Sequence, residues 1–224
     1  MRKVPFVSGE FYHIYNRGTD RRIIFADQND ISRFLQSILE FNTVEPIGSI
    51  YENSFQTRTH QPGSPTSKSL KKLVHIISYC LNPNHFHFLL EQVSERGIEK
   101  FMHRLGTGYT KYFNIKHRRT GGLFQGRFKS VHVDSNEYLL HVSAYINLND
   151  RVHQLGSPTS KLVASVSSWN EYIKTSASGV CTTDIILEQF QTRGAYKDFA
   201  LSSLDETLER RTQDKEFVSL LIET

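Results

Sequence analysis

His85, Phe86 and His87 open a β-type run that continues to Glu91. On a strand, side chains at i and i+2 share a face, so the two imidazoles project together while Phe86 points the other way. Two imidazoles on one face, with an apolar residue anchoring the strand, form a rigid two-point chelate for a metal. The same spacing also fits an exposed cross-strand histidine pair. Phe88, Leu89 and Leu90 carry the strand into a core and leave the histidines at its rim.

A second group lies at Tyr145 and Asn149. They are four apart on a predicted helix and therefore neighbours on one face, with His141 one turn earlier on the same stripe. A tyrosine hydroxyl, with a pKa of about 10, is a poor nucleophile at neutral pH. Beside a metal that polarises a phosphate and takes up charge on its oxygens, it becomes a useful one. A core tyrosine on an amphipathic helix has the same pattern. Tyr138, Tyr112 and Tyr109 are rivals that spacing does not separate from Tyr145.

These residues need elements to hold them. Phe11 to Tyr15 reads as a strand ended by a turn over Asn16 to Asp20. Asp27 to Glu40 carries Ile31, Phe34, Leu35, Ile38 and Leu39 at helical spacing. Ile47 to Leu70, rich in Ser, Thr, Pro, Gly and Gln, reads as a surface loop. The hexapeptide at 63–68 recurs at 156–161, and both copies suit exposed loops. Leu73 to Cys80 and His85 to Glu91 flank an Asn82, Pro83, Asn84 turn and read as a hairpin. Gly97 to Ile115 reads as a long helix broken at Arg118 to Gly122. Phe128 to Val133 is a short strand, and Ser135 starts a helix running to about Asn147. Strands mixed with helices and hairpins predict an α+β fold. The expected division is a domain over 1–150 and a loop and helical extension over 151–224.

The chain is 224 residues long, with net charge +4, 38% hydrophobic and 22% charged residues, an ordinary globular composition. Its charge is unevenly spread: from Lys100 to Val133 there is no Asp or Glu, but there are Lys100, Arg104, Lys111, Lys116, Arg118, Arg119, Arg127 and Lys129. Such a stretch is either a solvated face or a track for a polyanion. Tyr109, Tyr112, Phe113, Phe124 and Phe128 are interleaved with it, which suits a surface that follows phosphates and stacks bases. Cys80 and Cys181 are far apart and form no CxxC pair, so neither a disulfide nor a zinc framework is expected. No apolar run approaches the roughly 20 residues of a spanning helix. No apolar signal core follows the first residues, so a cytoplasmic protein without membrane partners is expected.

The segment from Ser78 to Leu90 resembles the HUH segment of the single-tyrosine transposases, the IS200-like group. More narrowly, the chain is similar to the REP-associated tyrosine transposases of bacteria. The resemblance extends through Tyr12 to Gly18, Gly122 to Lys129, Tyr145 to Asn149 and Ser167 to Tyr172. It implies that His85 and His87 are metal ligands, that Tyr145 is the nucleophile and that Asn149 completes or supports the metal shell. The insertion-sequence branch usually has Gln where this chain has Asn149, which points to the REP-associated branch. Asp150 stands where that branch commonly has Pro.

The implied fold is an antiparallel ferredoxin or RRM-like sheet with helices on one face, followed by a C-terminal helical extension. The implied activity is that of a transposase and endonuclease using Mg²⁺ or Mn²⁺. It would cut and rejoin single-stranded or hairpin DNA through a 5′-phosphotyrosine. Lys111, Lys116, Arg118, Arg119, Arg127 and Lys129 are the expected DNA-binding residues, and a homodimer fits the same reading. Two other classes fit the residues: a hairpin-binding protein without catalysis, and a metal-dependent phosphodiesterase that activates water.

Overall fold

The computed structural model describes residues 5–48, 50, 71–152, 163–174 and 179–222, with side chains described as far as 210. Both hexapeptide copies and most of the 47–70 segment lie outside the described residues. The first half runs β1 (Phe11–Arg17), α1 (Gln28–Phe41), β2 (Val74–Asn82), β3 (His85–Gln92), α2 (Gly97–Lys116) and β4 (Lys129–Val133). Then follow α3 (Asn136–Asn147), the one-turn α4 (Asn149–Val152), β5 (Val166–Ser167), α5 (Trp169–Ile173), α6 (Asp184–Leu187) and α7 (Arg193–Ile222).

The strands form one antiparallel sheet in the order β4-β1-β3-β2-β5. Its first four strands, with α1 and α2 as crossovers, give the ferredoxin-like βαββαβ arrangement. The β2–β3 hairpin closes on Asn82 opposite His85, leaving Pro83 and Asn84 as a two-residue turn.

Strand alternation divides the side chains between two cores. Tyr12, Ile14, Phe86, Phe88 and Leu90 face Ile31, Phe34 and Ile38 of α1 and Phe101, Leu105 and Tyr109 of α2. These are the helices expected on one face of the sheet. The opposite face is covered too: Ile77, Cys80, Leu89 and Val133 pack with Leu139, Val142 and Ile146 of α3. Tyr172, Ile186, Tyr196 and Ala200 complete that second core, and β5 joins the sheet edge, so residues beyond 150 share the core of those before it.

Two local features position the site. Asp27 caps α1 by accepting from the Asp30 amide, and Ser135 caps α3 by accepting from that of Tyr138. In β2 the pairing slips by one residue between Ile76 and Ser78. This bulge reverses the parity of the rest of the strand. Ile76, Tyr79 and Leu81 consequently face the α1–α2 core, and Asn82 emerges on the other face beside His85.

Candidate active site and nucleic-acid groove

His85 and His87 do share a face of β3, the face covered by α3. Their rings are 5.2 Å apart between centroids and nearly perpendicular. His85 Nδ1 lies 2.6 Å from Asn84 Oδ1, an atom that only accepts, so Nδ1 carries the proton. Its Nε2 is then an acceptor and meets Asn82 Nδ2 at 2.8 Å. The same Asn82 nitrogen donates to Asn149 Oδ1 at 2.7 Å, and His85 Nε2 is 3.4 Å from that oxygen. Asn82 is itself oriented by the Cys80 thiol, 3.5 Å from its Oδ1. Burial pushes that thiol well above its usual range, so it keeps the proton it donates.

The lone pairs of His85 Nε2 and Asn149 Oδ1 thus converge on one positively polarised NH₂ group. This is the arrangement two ligands of a small cation require. Among the described residues no three His, Cys, Asp or Glu side chains are grouped to hold a metal ion. The donor set fits two imidazoles and an amide oxygen, with other positions left to water or phosphate. Asn149 is fully buried, and its Nδ2 makes no hydrogen bond among the described residues.

His87 is held from the neighbouring strand. Its Nδ1 is 2.8 Å from His13 Nε2, and the Tyr15 ring stacks on it at 5.7 Å. Burial lowers the His13 pKa from 6.5 to about 4, so His13 is neutral at pH 7. Neither His13 nor Asn82 was singled out from the sequence. The period-2 pattern of Tyr12 to Tyr15 places His13 on a face, but only the pairing of β1 with β3 places it beside His87.

Tyr145 is partly exposed on α3 and turns its ring edge toward both histidines, 5.9 Å from His87 and 6.1 Å from His13 between centroids. A buried network fixes that end of the helix. Asn147 Nδ2 donates to Tyr196 Oη at 2.8 Å, and Ser168 Oγ donates to Asn147 Oδ1 at 2.5 Å. Helix α3 stops at Leu148, so Tyr145 and Asn149 are four apart across a break rather than along one continuous helix.

The rival tyrosines sit elsewhere. Tyr109 is fully buried in the α1–α2 core with its hydroxyl on Ile24 O at 2.6 Å, and burial raises its pKa far above the usual value. Tyr112 donates to Asp30 on that same side of the sheet, and Tyr138 is exposed near the start of α3. His141 turns away from the histidine pair, its Nδ1 3.0 Å from Ser203 Oγ of α7.

The basic stretch splits in two. Exposed Lys111, Arg127 and Lys129, with Lys100 and His103, line one groove whose walls include Tyr15, Phe34, Phe86, Phe124 and Phe128. Tyr15 both lines this groove and stacks on His87. Lys116 is not part of the groove. Its ammonium sits between half-exposed Asp27 and buried Asp30, 2.6 and 2.7 Å away, so its charge is already paired within the chain. Arg119 donates to Asn114 Oδ1 and Gly122 O, bracing the turn after α2. Arg118, at φ 49°, is the left-handed residue just past the end of that helix, and it is exposed.

Residues 50–149 match the family model described as Transposase IS200 like. That stretch of the chain is thus similar to the IS200-like transposases. It spans both histidines, Tyr145 and Asn149. No curated protein matches. A solved structure described as the REP associates tyrosine transposase bound to a REP hairpin is similar at 13% identity and a TM-score of 0.48. The similarity covers 80% of this chain and 88% of that one. Among the described residues no helix is long and apolar enough to cross a membrane.

Proposed function

We propose that this chain is a transposase, a metal-dependent DNA strand transferase and endonuclease of the REP-associated single-tyrosine type. One observation carries the reading: among the four candidate tyrosines, Tyr145 alone turns its ring toward His87 on the face that also holds His85 and Asn149. His85, His87 and Asn149 would hold Mg²⁺ or Mn²⁺. When bound, the cation supplies polarisation of the scissile phosphate and stabilisation of charge on its oxygens.

The chain's own residues do the rest. Tyr145 Oη forms a bond to phosphorus as the bond to the 3′-oxygen breaks. Its proton passes to solvent, and the departing oxygen takes one up as a 3′-hydroxyl. The product is a 5′-phosphotyrosine, and attack by a second 3′-hydroxyl reverses the step and rejoins strands. The groove of Lys111, Arg127 and Lys129, also lined by Tyr15, would carry single-stranded or hairpin DNA. In this reading residues 1–150 carry the catalytic groups, and Ser168, Tyr172, Tyr196 and Ala200 beyond them brace α3.

Labelled hairpin DNA with an unpaired flank, incubated with protein and Mn²⁺, should yield a protein–DNA adduct on a denaturing gel. EDTA should abolish it. Cleavage without any adduct would favour activated water, and binding without cleavage would favour a non-catalytic hairpin binder.

A further inference from the structure

His13 Nε2 and His87 Nδ1 are 2.8 Å apart, with rings stacked at 5.1 Å and 28°. At that distance one hydrogen lies between the two rings, and it belongs to one of them. If it is on His13, a neutral His87 carries its own proton on Nε2 and has no lone pair there for a cation. If it is on His87 Nδ1, then Nε2 carries the lone pair. Only the second tautomer lets His87 bind a metal while the hydrogen bond stands. His85 already shows the equivalent arrangement, because Asn84 Oδ1 accepts from its Nδ1 and its Nε2 meets Asn82.

We propose that His13 is a positioning residue for His87, accepting the Nδ1 proton and so fixing the tautomer that presents Nε2 to a divalent cation. The proposal rests on reading His87 as a metal ligand. Ligating imidazoles generally donate their other N–H to a nearby acceptor, which sets both tautomer and ring orientation. His13 is well placed to do this. It sits on β1 opposite Leu89, one strand from His87, and its ring is fixed between Tyr15 at 5.1 Å and Tyr145 at 6.1 Å. Its ring nitrogen Nε2 is engaged with His87 Nδ1, so it orients a ligand rather than adding one.

The test uses the full-length protein with Mn²⁺ and needs no DNA. Long-range ¹H–¹⁵N spectra of ¹⁵N-histidine protein without metal, assigned against His87→Gln, should show the His87 proton on Nδ1. His13→Phe, which cannot accept, should lose that fixed tautomer and bind Mn²⁺ about 10–100-fold more weakly. His13→Gln, whose Oε1 accepts, should restore most of the affinity. Circular dichroism checks both folds. Pulsed EPR should count two coordinated imidazoles on Mn²⁺ in the wild type and in His13→Gln.

A His87 proton on Nε2, unchanged Mn²⁺ affinity in His13→Phe, or a third imidazole on the metal would overturn the role of His13. A wild type that binds no Mn²⁺ would overturn the ligand reading itself, and the positioning role with it. The two failures are therefore distinguishable.

Discussion

Asn82 donates a 2.7 Å hydrogen bond to Asn149, joining the end of β2 to the first turn of α4 across 67 residues of sequence. The contact is fully buried, and it brings Asn149 Oδ1 within 3.4 Å of His85 Nε2. A helix end that would otherwise drift is thereby tied to the strand that begins the histidine hairpin. Asn82 holds the place between two acceptors that a cation would take.

Replacing Asn149 should therefore have two separable effects. Asn149→Ala removes the proposed ligand oxygen and leaves the buried Asn82 donor without its acceptor. Stability should fall by roughly 1–3 kcal/mol, the cost of an unsatisfied buried polar group. Mn²⁺ affinity should fall at least about tenfold, as for other losses from a metal shell. Asn149→Asp keeps an acceptor and should bind Mn²⁺ at least as tightly. Urea melts and titration calorimetry measure the two effects. Mn²⁺ affinity indifferent to Asn149→Ala would remove this residue from the metal site.

The tyrosines separate by position. Tyr145→Phe removes one partly exposed hydroxyl and should abolish the DNA adduct with little change in the urea midpoint. Tyr109→Phe should do the opposite, retaining the adduct while losing the buried bond to Ile24 O, worth about 1 kcal/mol. Tyr138→Phe should leave both unchanged. An adduct that survives Tyr145→Phe and disappears in another variant would reassign the nucleophile.

What the sequence revealed and concealed follows from how local each signal is. The shared face of His85 and His87 needs only the period of a strand, and the cap at Ser135 only three residues. Both are legible in the sequence. The exit of Asn82 beside His85 depends on the bulge at Ile76 to Ser78, which has no marker in the run of apolar residues around it. His13 meets His87 only because β1 pairs with β3, a non-local choice. Leu39 continues the helical pattern of α1 yet is 57% exposed, because the stripe facing the sheet is narrower than the apolar run. Lys116 and Lys111 look equivalent in a list of charges. Only the packing of α2 against α1 turns Lys116 inward, onto Asp27 and Asp30.

That inward lysine gives a prediction of its own. Asp30 is fully buried and also accepts from the Ala26 amide, so losing Lys116 removes a charged partner from a dry site. Lys116→Ala should cost about 1.5–3 kcal/mol, the range for hydrogen bonds to charged groups, and leave DNA affinity unchanged. The hydrogen bond from Lys116 lowers the Asp27 pKa below its usual value. A depressed folded-state pKa gives stability that is present above the unfolded carboxylate value and lost as pH falls through the folded one. The stability difference between wild type and Lys116→Ala should therefore shrink on acidification below about pH 4. A variant as stable as wild type would mean that the ion pair adds nothing net.

The groove makes the contrasting prediction. Lys111, Arg127 and Lys129 are exposed, line the same groove and have no acidic partner among the described residues. If they neutralise DNA phosphates, Lys111→Ala/Arg127→Ala should weaken binding to all sequences alike. The slope of log affinity against log salt should become shallower by roughly 0.7 per lost contact on single strands. Phe128 lines the groove and is partly exposed, whereas Tyr109 belongs to the core. Phe128→Leu should thus weaken unpaired DNA more than duplex, by up to the roughly 1–3 kcal/mol of one stacked base. Arg118→Ala/Arg119→Ala is the control, because Arg119 is already spent on Asn114 and Gly122. That pair should change the slope by no more than one contact. If the Arg118/Arg119 pair flattens the slope and the groove pair does not, the DNA follows the turn after α2 rather than the groove beside Tyr15.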